Sequence, residues 1–575
     1  MNGVLYFKTL GRVCPGIVSE VNTNLCYDIP FDSLGFPILP LYKLLSSLPG
    51  FPEGIRIGFG KLPDYEGLTW AAAGISRNEQ LFPKFVLGRF TEILDRGTEK
   101  YRVLRAGQIF RCRIEAPEEL RSRVDKWLAG ISHFGIQNED VTGKVEMWVC
   151  WNEKAVQPVD KPIFHPELRY HRLHYALSLS VPLISFLPNR KNRMAQECVP
   201  GALVLESLKE RFGSEWDAFA CEGAPICANA YPSAGGRRGF PSPKCMVQPK
   251  LNKQILYYKL GLDPDREIEE ITVGMSRFIT ELQPAVQEVF EAEKRTVTMM
   301  GENRMALREG QVFRGFVEGT DSQIRRLAEL IGDDPCFFLG FGTQEGFGEA
   351  LLRVECLEPE ETPCEHLMKE FDLELVSNGV FFTDEGMNDS SFTSFWQELE
   401  RDFPVFLNLK VADSFFLTDQ VYPVGTDGNL RDGVLRVLSS GSTFRLTSKD
   451  GRPVDVSEFD GAFIGDRNEE GYGELRVHPV SPRVIRYVQS VPQDMSSTNP
   501  KMSSSQLQHA SRFIREVMDE MLRYRIGLVA LNDRQQGEMA SDAVLEPIFQ
   551  HMKEKYDEDL DFSVMKQWYL EAADE

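Results

Sequence analysis

One ten-residue pattern, written twice, constrains this chain more than any other feature. GQIFRCRIEA at Gly107–Ala116 and GQVFRGFVEG at Gly310–Gly319 share a leading glycine, a Phe-Arg pair and alternating side-chain character, the period of a strand with two unlike faces. A weaker third copy, GSTFRL, runs from Gly441 to Leu446, so that Phe110, Phe313 and Phe444 each precede an arginine: Arg111, Arg314 and Arg445. Repetition of this kind means that one supersecondary unit is used several times. The phenylalanines then share a face expected to be core, and the arginines share the other.

The residues after each strand repeat as well. Helical stretches succeed the first two copies, APEELRSRVDKWLAGI and TDSQIRRLAELIG, and then comes a loop bounded by glycines eight positions apart. The three loops are GIQNEDVTG (135–143), GFGTQEGFG (340–348) and GDRNEEGYG (465–473), each leading into a strand. None carries the GxxxxGK[ST] of a phosphate loop, and GFGTQEG does not open a helix as a dinucleotide fingerprint must, so ATP and dinucleotide binding are excluded. Strand, helix, glycine loop, strand is the second half of a βαββαβ ferredoxin-like unit. First halves lie upstream: GVLYFKTLG with LYKLLSSL, and HRLHYALSLSVPLI with VPGALVLESLKERF, whose Pro-Gly marks a helix start. For the third copy only FPVFLNLKVADSFFL has matching character and no first helix is defined, so that unit is expected to be reduced.

The expected fold class is α+β: tandem ferredoxin-like (RRM-like) βαββαβ domains with glycine-rich loops, plus a C-terminal α-helical module. The domains fall at 1–155, 165–358 and 366–485, followed by a Ser/Pro-rich linker at 486–505 and a helical module at 506–575, where FIREVMDEMLRYRI and LEPIFQHMKEKY space apolar residues helically. At 575 residues and 42% hydrophobic content, several independent cores are expected. No run of eighteen apolar residues occurs and the start lacks a signal-like segment, which predicts a cytoplasmic protein without membrane association. The eleven cysteines are scattered without a CxxC pair, which predicts reduced thiols. Neither Cys221 with Cys227 nor His171 with His174 has a second half at zinc spacing.

A formal charge of −22 excludes a binder that holds nucleic acid non-specifically through a broad basic field. Local patches remain. LPNRKNR contributes Arg190, Lys191 and Arg193, RRGFPSPKCMVQPK contributes Arg237, Arg238 and Lys244, and YRVLRAGQIFR contributes Arg111, all without an acid among them. Each segment reads either as a solvated loop or as part of a site for an anionic ligand, and three in one acidic chain favour the ligand.

The stretches VPGALVLESL (199–208), GFGTQEGFGEALLRV (340–354) and GDRNEEGYGELRV (465–477) resemble the RAMP superfamily of CRISPR-Cas effector proteins. The segment ANAYPSAGGRRGFPSPK (228–244), followed by GSTFRL and GDRNEEGYG, is similar to the large RAMP subunit of type III-D systems, which caps the 5′ end of the guide RNA. The first domain is similar to the backbone subunits that line the guide and cut target RNA, through DIPFDSLGFPILP (28–40). It departs from their pattern at Leu41 and Tyr42, where they have glycine and serine. The C-terminal helices resemble the small helical subunit of type III complexes, so the chain looks like a fusion of backbone, cap and helical subunits.

The resemblance implies a guide-RNA (crRNA)-binding subunit of a type III effector that helps recognise and cleave complementary target RNA. Implied partners are crRNA, target RNA and other effector subunits, including the large signalling subunit. It implies catalysis at Asp28, which would also be the ligand of Mg²⁺ or Mn²⁺. A lone carboxylate holds such an ion weakly, so the RNA must complete the site. A turn carboxylate hydrogen-bonded locally is the alternative for Asp28. Gly201, Gly340, Gly342, Gly346, Gly348, Gly465, Gly471 and Gly473 are candidates for backbone approach to phosphates. Arg111 and Arg314 are candidates for phosphate contacts, or for ion pairs on a solvated sheet face. The competing functions are a non-catalytic scaffold or 5′-cap subunit of the same kind of complex, and a stand-alone guide-processing ribonuclease using His133 or His174 as general base.

Overall fold

The three repeats are three sheets of one topology. In the first, β1 (Asn2–Thr9), β2 (Arg56–Ile57), β3 (Ile109–Glu115) and β4 (Val145–Trp151) lie in the order β2-β3-β1-β4, all antiparallel. In the second, β5 (Tyr170–Leu179), β6 (Tyr231–Ala234), β7 (Val312–Glu318) and β8 (Glu349–Pro359) give β6-β7-β5-β8. In the third, β9 (Glu370–Leu375), β10 (Leu409–Phe415), β11 (Thr443–Ser448) and β12 (Leu475–Pro479) give β10-β11-β9-β12. Numbered within each unit the order is 2-3-1-4 every time, the ferredoxin-like arrangement. The repeated phenylalanines occupy the same register: Phe7 opposes Phe110, Leu177 opposes Phe313 and Leu373 opposes Phe444. All three phenylalanines of the pattern are fully buried.

The computed structural model describes residues 2–17, 25, 28–66, 68, 70–73, 75, 79, 81–95, 100–153, 162–185, 197–249, 255–258, 271–272, 277–283, 286–299, 302–360, 366–383, 385–421, 434–480, 484–493, 503–536, 540–556 and 561–574. Arg190, Lys191 and Arg193 lie outside the described residues. Met1–Ala155 with Pro500–Glu575 forms one compact unit, and Val156–Asn499 forms another.

Helices cover the core face of each sheet. The first unit has α1 (Leu41–Ser46) and α2 (Arg121–Ala129), whose Leu41, Leu45, Val124 and Leu128 pack on Leu5, Phe7, Phe110 and Ile114. The second has α3 (Gly201–Phe212) and α4 (Asp321–Asp333). The start of α4 is a capping box: Thr320 accepts from the Gln323 amide, and the Gln323 side chain returns to Thr320. The third has α5 (Phe392–Asp402), capped by Ser391, whose hydroxyl accepts from the Ser394 amide at 3.1 Å.

The third unit corrects the sequence reading. Its sheet is complete and its first helix is well formed, burying Phe395 and Leu399; FPVFLNLKVADSFFL supplies the second strand instead of the first. The missing element is the second helix: residues 449–467 hold only turns and the two-residue strand Val454–Asp455. Pro453 and glycines at 451 and 461 interrupt any helical run there.

The C-terminal segment forms α6 (Ser504–Gln536), α7 (Asp542–Tyr556) and α8 (Phe562–Asp574). Ile514, Val517 and Met521 of α6 enter the core of the first ferredoxin-like unit. Further along the same helix, Leu522, Ile526 and Ala530 make a second core with Leu545, Phe549, Met565 and Tyr569. The stretch expected to be linker begins as a strand, Val484–Gln489, which runs parallel to Val286–Phe290 and antiparallel to Ile255–Tyr258 in a sheet inserted into the second unit. No helix among the described residues is long and apolar enough to cross a membrane.

Candidate nucleic-acid interface

The repeated arginines are ion-paired. Arg111 meets Glu66 at 2.7 Å, Arg314 holds both oxygens of Glu355 at 2.7 Å, and Arg445 holds both of Asp372 at 2.8 and 3.0 Å. Arg314 is also buried, and its remaining nitrogen donates to Ser233 and Gln493. These donors are engaged inside the protein, which leaves Arg314 no face for a phosphate and makes it a strut instead. Arg111 is more open but committed to Glu66, whose charge raises its pKa against the lowering effect of burial.

The glycine loops are seated by one hydrogen-bond scheme, repeated three times. The amides of Phe134, Leu339 and Ile464 donate across the loop to the carbonyls of Gly143, Gly348 and Gly473. The closing glycine amides donate to the chain leaving the first strand, Gly143 to Arg12, Gly348 to Pro182 and Gly473 to Asn378. Two residues further along that exit, the carbonyls of Cys14, Ile184 and Val380 accept from Ile136, Phe341 and Asp466. Little space is left. A Cβ would lie 1.9, 2.4 and 2.5 Å from those same carbonyl oxygens at Gly135, Gly340 and Gly465, and 1.8 and 1.9 Å from backbone oxygens at Gly348 and Gly473. The bounding glycines therefore serve close backbone packing, and of those expected to open amides to RNA, Gly348 and Gly473 have theirs engaged within the protein. Gly342 and Gly346 flank the short turn Thr343–Glu345 with positive φ.

Gly201 is likewise closed. Its amide donates to Asn229 Oδ1 at 2.8 Å, and a Cβ there would sit 1.7 Å from the Cys227 carbonyl and 2.8 Å from that of Glu470. The third loop thus leans on the start of α3, and Gly471 packs against residues 227–229. Arg238, its side chain 15% exposed, lies at the same junction. It pairs with both oxygens of Glu474, itself 3% exposed, donates to the Asn229 carbonyl at 2.9 Å, and lies about 5 Å from the rings of Tyr231 and Phe316. Burial alone would lower its pKa, and Glu474 outweighs that and raises it. Arg238 is thus the ion-pair partner of a buried carboxylate. Arg237 is 43% exposed and meets Glu288 at 3.0 Å.

Lys244 differs from these. It lines a cleft of about 270 Å³ with Arg277, Asn229, Asn378, Ser440 and Tyr472 among its walls. Of the four charged residues in that lining, Glu197 pairs with Lys294, Glu470 with Arg467 and Arg277 with Glu291. Among the described residues none bonds the Lys244 ammonium, which stands without an ion-pair partner in a lining of two acids and two bases. Burial pushes the Tyr472 hydroxyl and the Cys198 thiol, also in the wall, each up to about 12.

Asp28 sits in a different unit, just before an ordered turn in which Asp32 accepts from the amides of Leu34 and Phe36. Asp28 Oδ1 accepts from Arg102 Nε and from the Ile29 amide, both at 2.8 Å. No group of three or more His, Cys, Asp or Glu among the described residues is placed to hold a metal. His174 bonds Glu358 at 2.8 Å, and His133 bonds Ser132 at 3.0 Å on the surface. Leu41, at the helix start where the backbone-subunit pattern has glycine, is fully buried.

Arg277 and Asn378 were not marked by the sequence, since they lie in stretches separate from the segment 228–244 that holds Asn229 and Lys244. Arg102 falls inside a basic segment that the sequence does flag, but its partner lies 74 residues away.

No model of a known protein family matches the chain, and no curated protein matches it. Solved structures do resemble it. A RAMP protein binding different RNA substrates is 12% identical, with a TM-score of 0.26 over 54% of this chain and 100% of that one. The product of a Cas6-related gene from Pyrococcus furiosus is 8% identical, with a TM-score of 0.25 over 54% and 100%. A chain of the Type III-B Cmr-beta complex bound to cognate target RNA is 11% identical, with a TM-score of 0.23 over 47% and 86%. The structural neighbours are RAMP and Cas6 proteins and a type III-B complex. At these TM-scores the likeness carries no argument, and the fold class rests on the three strand orders.

Proposed function

We propose that the chain is a guide-RNA-binding subunit of a type III CRISPR effector, working with crRNA, target RNA and further effector subunits. The observation that carries this reading is the Lys244 cleft, walled by the third glycine loop and the start of α3. One cation without an ion-pair partner, beside amide and hydroxyl groups and an aromatic ring, suits one phosphodiester of a strand, while the surrounding acidic chain discourages indiscriminate binding. Lys244→Ala is expected to weaken guide-RNA binding and to reduce the slope of log affinity against log salt by about 1. Unchanged affinity and slope, or heterogeneous cellular RNA recovered with the purified protein in place of repeat-derived guides, refutes the reading.

Target cleavage is assigned within the same proposal to Asp28. A divalent cation fits here only in a limited way, since among the described residues none bonds Asp28 Oδ2 and none is placed as a second protein ligand. Mg²⁺ commonly binds through one or two carboxylates while keeping waters and taking substrate oxygens. Asp28 would hold Mg²⁺ or Mn²⁺ beside the RNA, and the ion would offset charge developing on the scissile phosphate. The non-catalytic scaffold or cap remains the second reading, favoured by the commitment of Asp28 Oδ1 to Arg102. Asp28→Ala in the assembled complex decides: loss of cutting supports the first, and undiminished cutting at every site supports the second.

A further inference from the structure

Two consecutive residues set Lys244 and Asn378 side by side. The Ser440 amide donates to Asn378 Oδ1 at 2.9 Å, and the Gly441 carbonyl accepts from the Lys244 amide at 2.8 Å. Only glycine suits position 441, which has φ +79° and where a Cβ would stand 2.8 Å from the Ser242 oxygen and 3.3 Å from Lys244 Cγ. Asn378 is equally fixed by its backbone. Its carbonyl accepts from Gly473, and the next residue, Gly379, exchanges both backbone hydrogen bonds with Leu438. The other units have Arg12 and Pro182 at this place in the loop scheme, so the side-chain amide belongs to the third unit alone.

A backbone N–H can only donate, so the bond from Ser440 decides which way the Asn378 amide is turned. Oδ1 is occupied, and no described residue bonds Nδ2. The other asparagine of the cleft is committed at both ends: Asn229 Oδ1 accepts from Gly201 at 2.8 Å, and Nδ2 reaches the Tyr231 hydroxyl at 3.5 Å. The two acids of the lining, Glu197 and Glu470, pair with Lys294 and Arg467. Aromatic side chains complete the walls. Tyr231, Phe278 and Tyr472 line the same cleft, and the Tyr231 hydroxyl is engaged by the Val376 carbonyl at 2.9 Å. A donor of fixed polarity thus stands among rings and beside a lysine. Rings add nothing for a bare phosphate, whereas a nucleobase stacks on them.

We propose that Asn378 reads one base of the guide strand, resting on the reading that Lys244 holds a guide phosphodiester. With Oδ1 pinned, the side chain offers only the Nδ2 donor, so the base that fits presents a keto oxygen, as uracil and guanine do. Cytosine and adenine bring an exocyclic amino group to the same place, and two donors then face each other. The cleft therefore selects keto over amino bases at a single nucleotide.

Uracil and cytosine differ in this group while matching in size and charge. The probes are oligo(U) and oligo(C) of about eight nucleotides, bound to the guide-free full chain and followed by fluorescence anisotropy. Oligo(U) should bind about fivefold tighter, the worth of one hydrogen bond made in place of one lost. Asn378→Asp keeps the bond from Ser440 and exchanges the donor for an acceptor, so the ratio should invert and favour oligo(C), whatever the added charge does to both affinities. Asn378→Ala should bring the two affinities together, and Lys244→Ala should weaken both strands alike and leave the ratio unchanged. Thermal melting of each variant checks the fold. Equal binding of the two strands by the unaltered protein, or an unchanged ratio in Asn378→Asp, overturns the base reading and leaves the Lys244 site standing. So does an Asn378→Ala protein that weakens both strands and keeps the ratio, which is the behaviour of a second phosphate contact. If Lys244→Ala changes neither affinity, the phosphodiester reading fails, and inversion in Asn378→Asp still decides the base contact.

Discussion

Gly348→Ala separates a loop that packs from a loop that binds. Gly348 closes the second glycine loop at φ +75°, its carbonyl accepting from Leu339 at 2.9 Å and its amide donating to Pro182 at 3.0 Å. A Cβ would stand 1.8 Å from the Leu339 oxygen, far inside contact distance, so Leu339 and residue 348 must part. Parting them weakens both hydrogen bonds, about 1 kcal/mol each, and an alanine at this φ costs about 1 kcal/mol more. The expected loss is about 3 kcal/mol. Gly310→Ala is the control, because Gly310 has a similar φ of +83° but nothing within 4 Å of its added Cβ. It should lose only about 1 kcal/mol. Denaturant unfolding of the full chain measures both, with guide-RNA affinity measured on the folded variants. Equal destabilisation by the two variants refutes the packing argument. So does a Gly348→Ala protein of normal stability with impaired RNA binding, since that is the behaviour of an amide cradle.

The remaining predictions concern partners that the fold brings together. Arg238→Met strands buried Glu474 and should cost about 3–5 kcal/mol, whereas Arg237→Ala, at an exposed pair, should stay within about 0.5 kcal/mol; denaturant unfolding measures both. With its thiol pushed up to about 12 by burial, Cys198 should resist iodoacetamide at neutral pH, while exposed Cys221 is alkylated first, as peptide mass mapping would show. The His174 hydrogen bond is the leading cause holding Glu358 below its ordinary value of 4.5, so its contribution to stability is present above that pH and lost as pH falls through the lowered value. Acid unfolding should accordingly be less steep in His174→Ala, and the difference is small because Glu358 is 42% exposed.

The fold was legible where local chemistry and topology agree. The Phe-Arg strands alternate because one face is core, and the glycines recur eight positions apart because an equivalent backbone carbonyl crowds every copy of the loop. The first helix of the third unit was not recognised, although Phe392, Phe395, Trp396 and Leu399 have helical spacing behind the Ser391 cap. The neighbouring apolar run FPVFLNLKVADSFFL competes for attention and belongs to the next strand. The helical tail was legible as helices, but its insertion into the first unit's core depends on the shape of that core and not on any pattern in the tail.

The site was less legible, for a reason the repeats make plain. Whatever recurs in all three units answers to a demand common to all three, and the structure identifies that demand as hydrogen bonding and ion pairing within each unit. Arg111, Arg314 and Arg445 recur and are paired; the loop-bounding glycines recur and are packed. A binding function peculiar to one place must draw on residues that do not recur. Lys244 and Asp28 are such residues. Lys244 lies between β6 and β7, and Asp28 precedes a hairpin turn whose hydrogen bonds recur at Thr383–Met387 of the third unit, where Gly379 stands in the position of Asp28. Arg277, which shares the cleft wall with Lys244, and Arg102, which pairs with Asp28, both lie between the second and third strands of their units. In this chain repetition marks the scaffold, and the departures from repetition mark where chemistry should be sought.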